Sequence, residues 1–215
     1  TDSLHNSGIK SMLHTYAWYI DNACSWVSNG DPRLASDQTF TLAQTLYPAG
    51  TTVYVNEYTG NINTEYTTLR IGTELITFTG VQTTYPYAFT GCTRGAYGST
   101  VSGYYAGVSV YQLKQYNFAG RAFFLPDPGT TLFTDVAQKT ADAFNNGGFD
   151  GIYMDALDGA WQFGPDSWYY SSKFVWEVDY RLNKDCIWDM ATFYPNMWSI
   201  RSRAGAWDQI GRAHV

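Results

Sequence analysis

Two carboxylates stand at the far end of the run Gly147-Gly148-Phe149-Asp150-Gly151-Ile152-Tyr153-Met154-Asp155-Ala156-Leu157-Asp158-Gly159. Ile152 and Met154, with Phe149 and Tyr153, have the texture of a strand buried on both faces, as parallel strands under helices are. Asp155 falls where that strand should end. An acid at the C-terminal end of a barrel strand is placed for catalysis, although an Asp that caps a loop or a following helix occupies the same kind of position. Asp158 is the weaker candidate of the two. Asp189 lies inside a second apolar run, residues 186–191, and Asp208 closes a third, residues 196–208. Paired carboxyl groups can divide acid and base work when their surroundings push their pKa values apart. Asp155 beside Arg201 or Arg203 would stay ionised. Asp208 or Asp189, shielded by Trp207 or Trp188, would hold a proton. Strand-end placement favours Asp208, and Asp189 has the alternative of hydrogen-bonding substrate hydroxyls. His14 ends the strand pattern of residues 9–16, where it either contacts substrate or is a hydrogen-bonded core histidine.

Composition narrows the partners. Aromatic residues make up 18% of the 215, including 18 Tyr and 8 Trp, more rings than a core of this size requires. Flat rings suit stacking on sugars, and Tyr16, Trp18, Tyr153, Trp188 and Trp207 are the candidates. An aromatic-rich core is the plain alternative. A net charge of −6, with 13 Lys and Arg and no basic run, argues against nucleic acid. No apolar stretch is long enough to cross a membrane. Cys24, Cys92 and Cys186 form neither a disulfide framework nor a metal motif, so no metal or cofactor is expected. A metal-dependent hydrolase using His14, Asp155, Asp158 and Asp189 stays open as an alternative, without a dense ligand motif behind it.

The elements that must position these groups alternate. Residues 1–8 look like a helix end stopped by Gly8, followed by the strand carrying His14. From residue 39 to residue 113 short alternating runs (Thr52-Val53-Tyr54-Val55, Thr68-Leu69-Arg70-Ile71, Leu75-Ile76-Thr77-Phe78, Val108-Ser109-Val110-Tyr111) are punctuated by turn signals, which predicts an inserted small antiparallel β-domain. Helical texture returns afterwards. Arg121-Ala122-Phe123-Phe124-Leu125 reads as a strand. Leu132, Phe133, Val136, Ala137, Thr140, Ala141 and Phe144 then mark one face of an amphipathic helix. A second helix beginning near Ser171 or Ser172 should bury Phe174, Val175, Val178 and Leu182. Strand–helix alternation predicts an α/β chain: part of a (β/α)8 (TIM) barrel, strands two to six, over residues 1–38 and 114–208.

Both ends look cut. Ile210-Gly211-Arg212-Ala213-His214-Val215 back-translates to a common sequencing-adapter sequence, so residues 209–215 are expected to be a non-native tail and His214 is set aside. Redox compartment, localisation and oligomeric state stay open; a secreted or periplasmic site would suit a polysaccharide enzyme.

These runs resemble glycoside hydrolases built on a (β/α)8 barrel. Gly-Phe-Asp-Gly, an apolar strand and Asp155 look like the fourth-strand region of the alpha-amylase family, which implies Asp155 as nucleophile. That family carries Arg two positions earlier, where this chain has Tyr153. The order of segments is also similar to the alpha-galactosidase clan, which implies Asp155 as nucleophile and Asp208 as acid/base. The segment Leu69–Gly98 resembles a small module of phage-tail and cell-surface proteins, and the chain outside it looks like large uncharacterised bacterial proteins with the same barrel and insert. The resemblance implies glycoside hydrolysis of a poly- or oligosaccharide through two carboxyl groups. Retention is preferred, with a carboxyl separation of about 5–5.5 Å. Arg201 and Arg203 either clamp a uronate or sulfate group or cap a helix. Asp158 joins the substrate contacts. A piece of barrel with strands missing is expected to be inactive alone, because its sheet edge stays open. A non-catalytic glycan-binding protein is the rival class.

Overall fold

A computed structural model describes residues 1–192, 194–197 and 199–200. In chain order its regular elements begin with α1 (Asp2–Asn6), β1 (Met12–Thr15), β2 (Ile20–Asp21), α2 (Ser25–Ser28), β3 (Ser36–Thr41) and β4 (Val53–Tyr54). Next come β5 (Thr68–Ile71), β6 (Glu74–Thr77), β7 (Gly80–Gln82), β8 (Ala88–Thr90), β9 (Ser109–Leu113), β10 (Gln115–Phe118) and β11 (Arg121–Phe124). The last are α3 (Thr131–Gly147), β12 (Gly151–Met154), α4 (Ser167–Asp179) and β13 (Ile187–Met190), with a 3-10 segment at Leu157–Asp166. Two compact units result: Thr1–Trp18 with Pro128–Val215, and Tyr19–Asp127. The second unit is wider than the span 39–113 read from sequence. Among the described residues no helix is long and apolar enough to cross a membrane.

In the first unit β1, β12 and β13 form a parallel sheet in that order. The strands are short and one-sided. Ile152, Met154, Trp188 and Met190 are buried, whereas the alternate positions His14, Tyr153 and Asp189 are not. The double-sided burial expected of residues 151–154 is therefore corrected: the period of two places one face on the core, and the other, with His14 exposed and Tyr153 and Asp189 intermediate, is only partly buried. α3 buries Leu132, Phe133, Val136, Ala137, Thr140, Ala141 and Phe144, the stripe its spacing predicts. Gly148 closes it in the left-handed region (φ 65°), a conformation that costs glycine no Cβ clash. α4 starts at Ser167, earlier than expected, and buries Phe174, Val175 and Val178. Edge-to-face contacts of Phe174 with Trp18 and Phe133 knit the helices together.

The expected partial (β/α)8 (TIM) barrel is not what forms. The described parallel sheet has three strands and does not close, and most of the thirteen described strands belong to small antiparallel sheets. The run at Arg121, read as a parallel barrel strand, is β11, antiparallel between β10 and β2 in the second unit. Its pairing is decided locally. Ala119 (φ 50°) and Gly120 (φ 75°) form a two-residue reversal between Phe118 and Arg121, and a turn with both central φ positive matches the twist of a hairpin.

The second unit also contains the sheets β3-β9-β5-β6 and β4-β8-β7. Its core gathers Phe40, Leu42, Val53, Leu69, Ile71, Ile76, Phe78, Phe89 and Val110, with Phe89 set against Phe40 and Phe78. At the margin of that core Glu74 is fully buried. Arg94 donates to its two oxygens from Nε and Nη2, both at 2.7 Å, and the Gly95 and Ser102 N–H groups complete the carboxylate's shell.

Candidate functional site

The less buried face of the parallel sheet carries the candidate groups. His14 partners Tyr153 in register, and Tyr153 partners Asp189, so the three side chains form one row across β1, β12 and β13. Tyr16 and Asp155 follow by two residues on the same face. Asp155 is anchored by the ladder continuing past the strands: its N–H donates to the Thr15 carbonyl at 2.9 Å, and the Ala191 N–H donates to Met154 at 2.9 Å. The carboxylate turns one oxygen to the following chain, accepting the Ala156 N–H at 2.8 Å through Oδ1. Its Oδ2 lies 3.3 Å from His14 Nε2. Asp189 repeats the arrangement, its Oδ1 accepting the Met190 N–H at 3.1 Å. The His14 ring sits between Tyr16 and Tyr153, at centroid distances of 5.6 and 5.1 Å.

This pairing contributes little to stability. The His14 and Asp155 side chains are 56% and 35% exposed, and ion pairs so solvated are worth about 0–1 kcal/mol. Backbone strain marks the same place. Ala17, next to Tyr16, and Ala156, next to Asp155, both adopt left-handed φ values (41° and 58°), which a residue with a Cβ enters only when its surroundings impose it.

The opposite end of the sheet holds a second polar node that sequence reading missed. Asp150 accepts the Ser11 N–H at 3.0 Å and meets His5 Nε2 at 2.7 Å, with Lys184 Nζ at 3.6 Å from its other oxygen. The Ser11 N–H donating to it holds its carboxyl down at about 2 against desolvation, the next-largest effect, with His5 and then Lys184 helping to lower it. Ser11 Oγ also lies 3.4 Å from His5 Nε2. Serine and aspartate therefore approach the same ring nitrogen, whereas a nucleophilic triad needs them on opposite nitrogens. The node is a clasp between α1 and the entry to β12. Nothing periodic announces it, because His5 and Asp150 are 145 positions apart. A cavity of about 490 Å³ flanks this end of β13, against Asp179, Lys184, Asp185 and Cys186. Burial pushes the Cys186 thiol up to about 12, which disfavours the thiolate.

The structure brings together His14, Tyr16, Tyr153, Asp155 and Asp189. Asp158 is exposed at the start of the 3-10 segment. Trp18 and Trp188 are corrected: at 0% and 1% exposure they are core residues, Trp188 donating its Nε1 proton to Asp179 at 2.9 Å, and neither can stack on a substrate. Arg201, Arg203, Trp207 and Asp208 lie outside the described residues, as do residues 209–215. Among the described residues no three His, Cys, Asp or Glu side chains converge as a metal site, so the ligand set of His14, Asp155, Asp158 and Asp189 is not assembled. No family model, no curated protein and no solved structure matches this chain.

Proposed function

We propose that the parallel-sheet unit acts on carbohydrate and cleaves a glycosidic bond with two carboxyl groups, without a metal or an organic cofactor. The observation that carries this reading is the row His14–Tyr153–Asp189 with Asp155 one step further along the same face. Glycoside cleavage needs an ionised carboxylate facing the anomeric carbon and a protonated one at the leaving oxygen. Asp155, fixed by the Ala156 N–H and approached by His14, suits the first role. Asp189, on the neighbouring strand, suits the second, and Asp208 is its rival. Tyr16 and Tyr153 supply rings for the sugar. The test is hydrolysis of a glycan panel by the protein. Asp155→Asn and Asp189→Asn should each lower turnover by about 10²–10⁴-fold with an unchanged thermal midpoint. Parent-like turnover by Asp155→Asn overturns the assignment.

One observation favours a second reading, binding without catalysis. A carboxyl that must keep its proton is usually desolvated, and Asp155 is 35% exposed while Asp189 is only partly buried. Glycan retention with no turnover, unaffected by Asp155→Asn but lost in Tyr16→Ala, would establish that reading instead.

A further inference from the structure

The second unit carries a cleft of its own. It measures about 400 Å³ and lies beside the β10–β11 turn, with Asn22, Thr67, Tyr97, Asn117, Phe118 and Arg121 among its lining residues. We propose that this cleft is a binding site for a neutral oligosaccharide, separate from the carboxylate row and independent of whether that row is catalytic.

Three features point to that ligand class. The first is a group of aromatic rings ending at Phe118 on the rim. Tyr116 and Phe118, two residues apart on β10, share a face and hold their rings parallel within 10° at 6.3 Å, and Tyr19 packs on Tyr116 at 5.6 Å. Tyr116 and Phe118 remain 42% and 49% exposed, although a hairpin tip is where apolar rings are most easily replaced by polar residues. Exposed aromatic rings supply apolar surface for the C–H faces of a sugar.

The second feature is the polar lining. Asn22 lines the cleft, its backbone held in place by donating to the Ala122 carbonyl at 3.1 Å. Asn117 is locked by donating to the Glu65 carbonyl at 3.2 Å and accepting from Gln115 at 2.9 Å, and Thr67 accepts from the same Gln115 amide at 3.1 Å. Arg121 donates to Asp21 at 2.6 Å, so its charge is balanced. A guanidinium neutralised in this way, with no other Lys or Arg lining the cleft, is a poor phosphate site. Amides, a hydroxyl and a charge-balanced guanidinium line the cleft as partners for sugar hydroxyls. A few fixed polar groups beside apolar rings are how small-molecule sites set orientation.

The third feature is strain. Only four non-glycine residues among those described adopt positive φ. Ala17 and Ala156 adjoin Tyr16 and Asp155. The other two, Tyr97 (φ 56°) and Ala119 (φ 50°), both line this cleft. Backbone held in unfavourable regions concentrates where a surface is shaped for a ligand.

The experiment is isothermal titration of the whole chain with cellohexaose, xylohexaose, chitohexaose and maltohexaose. At least one should bind. Phe118→Ala and Asn22→Ala should each weaken that binding about tenfold or more with an unchanged thermal midpoint. Asp155→Asn should leave it intact, which separates this site from the carboxylate row. No binding by any of the four, or binding indifferent to both cleft substitutions, overturns the proposal.

Discussion

The two units use charge in opposite ways. In the second unit Glu74 and Arg94 are 0% and 7% exposed, and each N–H and oxygen they present is aimed at a partner inside the fold. Arg94 also donates to the Tyr47 carbonyl at 2.6 Å. The Tyr104 phenol beside them is pushed up to about 12, by burial first and then by the Glu74 charge. In the first unit Asp155 and Asp189 are half-buried, each anchored through Oδ1 to one main-chain amide, and Asp155 turns Oδ2 to an exposed imidazole. A carboxylate enclosed by donors is part of the scaffold. One that is anchored on one side and partly exposed on the other, as Asp155 is, is available to a ligand. Ionic strength of contact and chemical usefulness therefore separate here.

The largest expected effect follows from that contrast. Glu74→Ala strands a buried guanidinium together with the Gly95 and Ser102 N–H groups, and removing one member of a buried pair costs about 3–5 kcal/mol. Asp155→Asn removes a solvated contact worth about 1 kcal/mol or less. Urea titrations of the two variants should show a large drop in midpoint for the first and almost none for the second. Comparable losses at both positions would break the comparison.

How much of this could be read in advance depends on the range of the interactions. The buried stripe of α3 and the short strands β12 and β13 were legible, because hydrophobic periodicity is a local signal. The fate of the run at Arg121 was not. Its composition fits a parallel strand as well as an antiparallel one, and the two residues Ala119-Gly120 decide the matter by turning β10 back on it. Trp18 and Trp188 look identical in sequence to exposed stacking rings. Only the helices packed around them make them core. Of the site, Asp155, Asp189 and His14 were legible as strand-end groups, but their sharing a row depends on a register that no residue type declares. The Asp150 clasp and the Glu74–Arg94 pair join positions distant in sequence, and so left no pattern.

A mid-sized effect sharpens the contrast within the first unit, between its two ends. Asp150 has its folded pKa lowered to about 2 by Ser11, with help from His5 and Lys184. A lowered carboxylate contributes stability above its unfolded pKa of about 4, and that contribution is lost as pH falls through the folded value. The urea midpoint of the parent should therefore fall between about pH 4 and pH 2, and Asp150→Asn should flatten that limb while starting from a lower plateau at neutral pH. An acid limb that persists unchanged in the variant would assign it to other carboxylates.

The smallest effect concerns the strained alanines. Left-handed geometry costs a residue with a Cβ about 1–2 kcal/mol. Replacement by glycine relieves this, but it also returns about 0.4–1 kcal/mol of freedom to the unfolded chain. Ala156→Gly and Ala119→Gly should each raise stability by about 1 kcal/mol or less in urea titrations. Where the strain serves a site, the same change should weaken function. Ala156 supplies the N–H that fixes Asp155 Oδ1, so loosening its backbone should let the carboxylate rotate away from His14 and slow turnover. Ala119 shapes the cleft rim beside Phe118, so its replacement should weaken oligosaccharide binding while leaving hydrolysis alone. A gain in stability with a selective loss at the adjoining site, reversed between the two variants, is what two independently shaped surfaces require; a gain with no loss at either would make the strain a by-product of chain reversal.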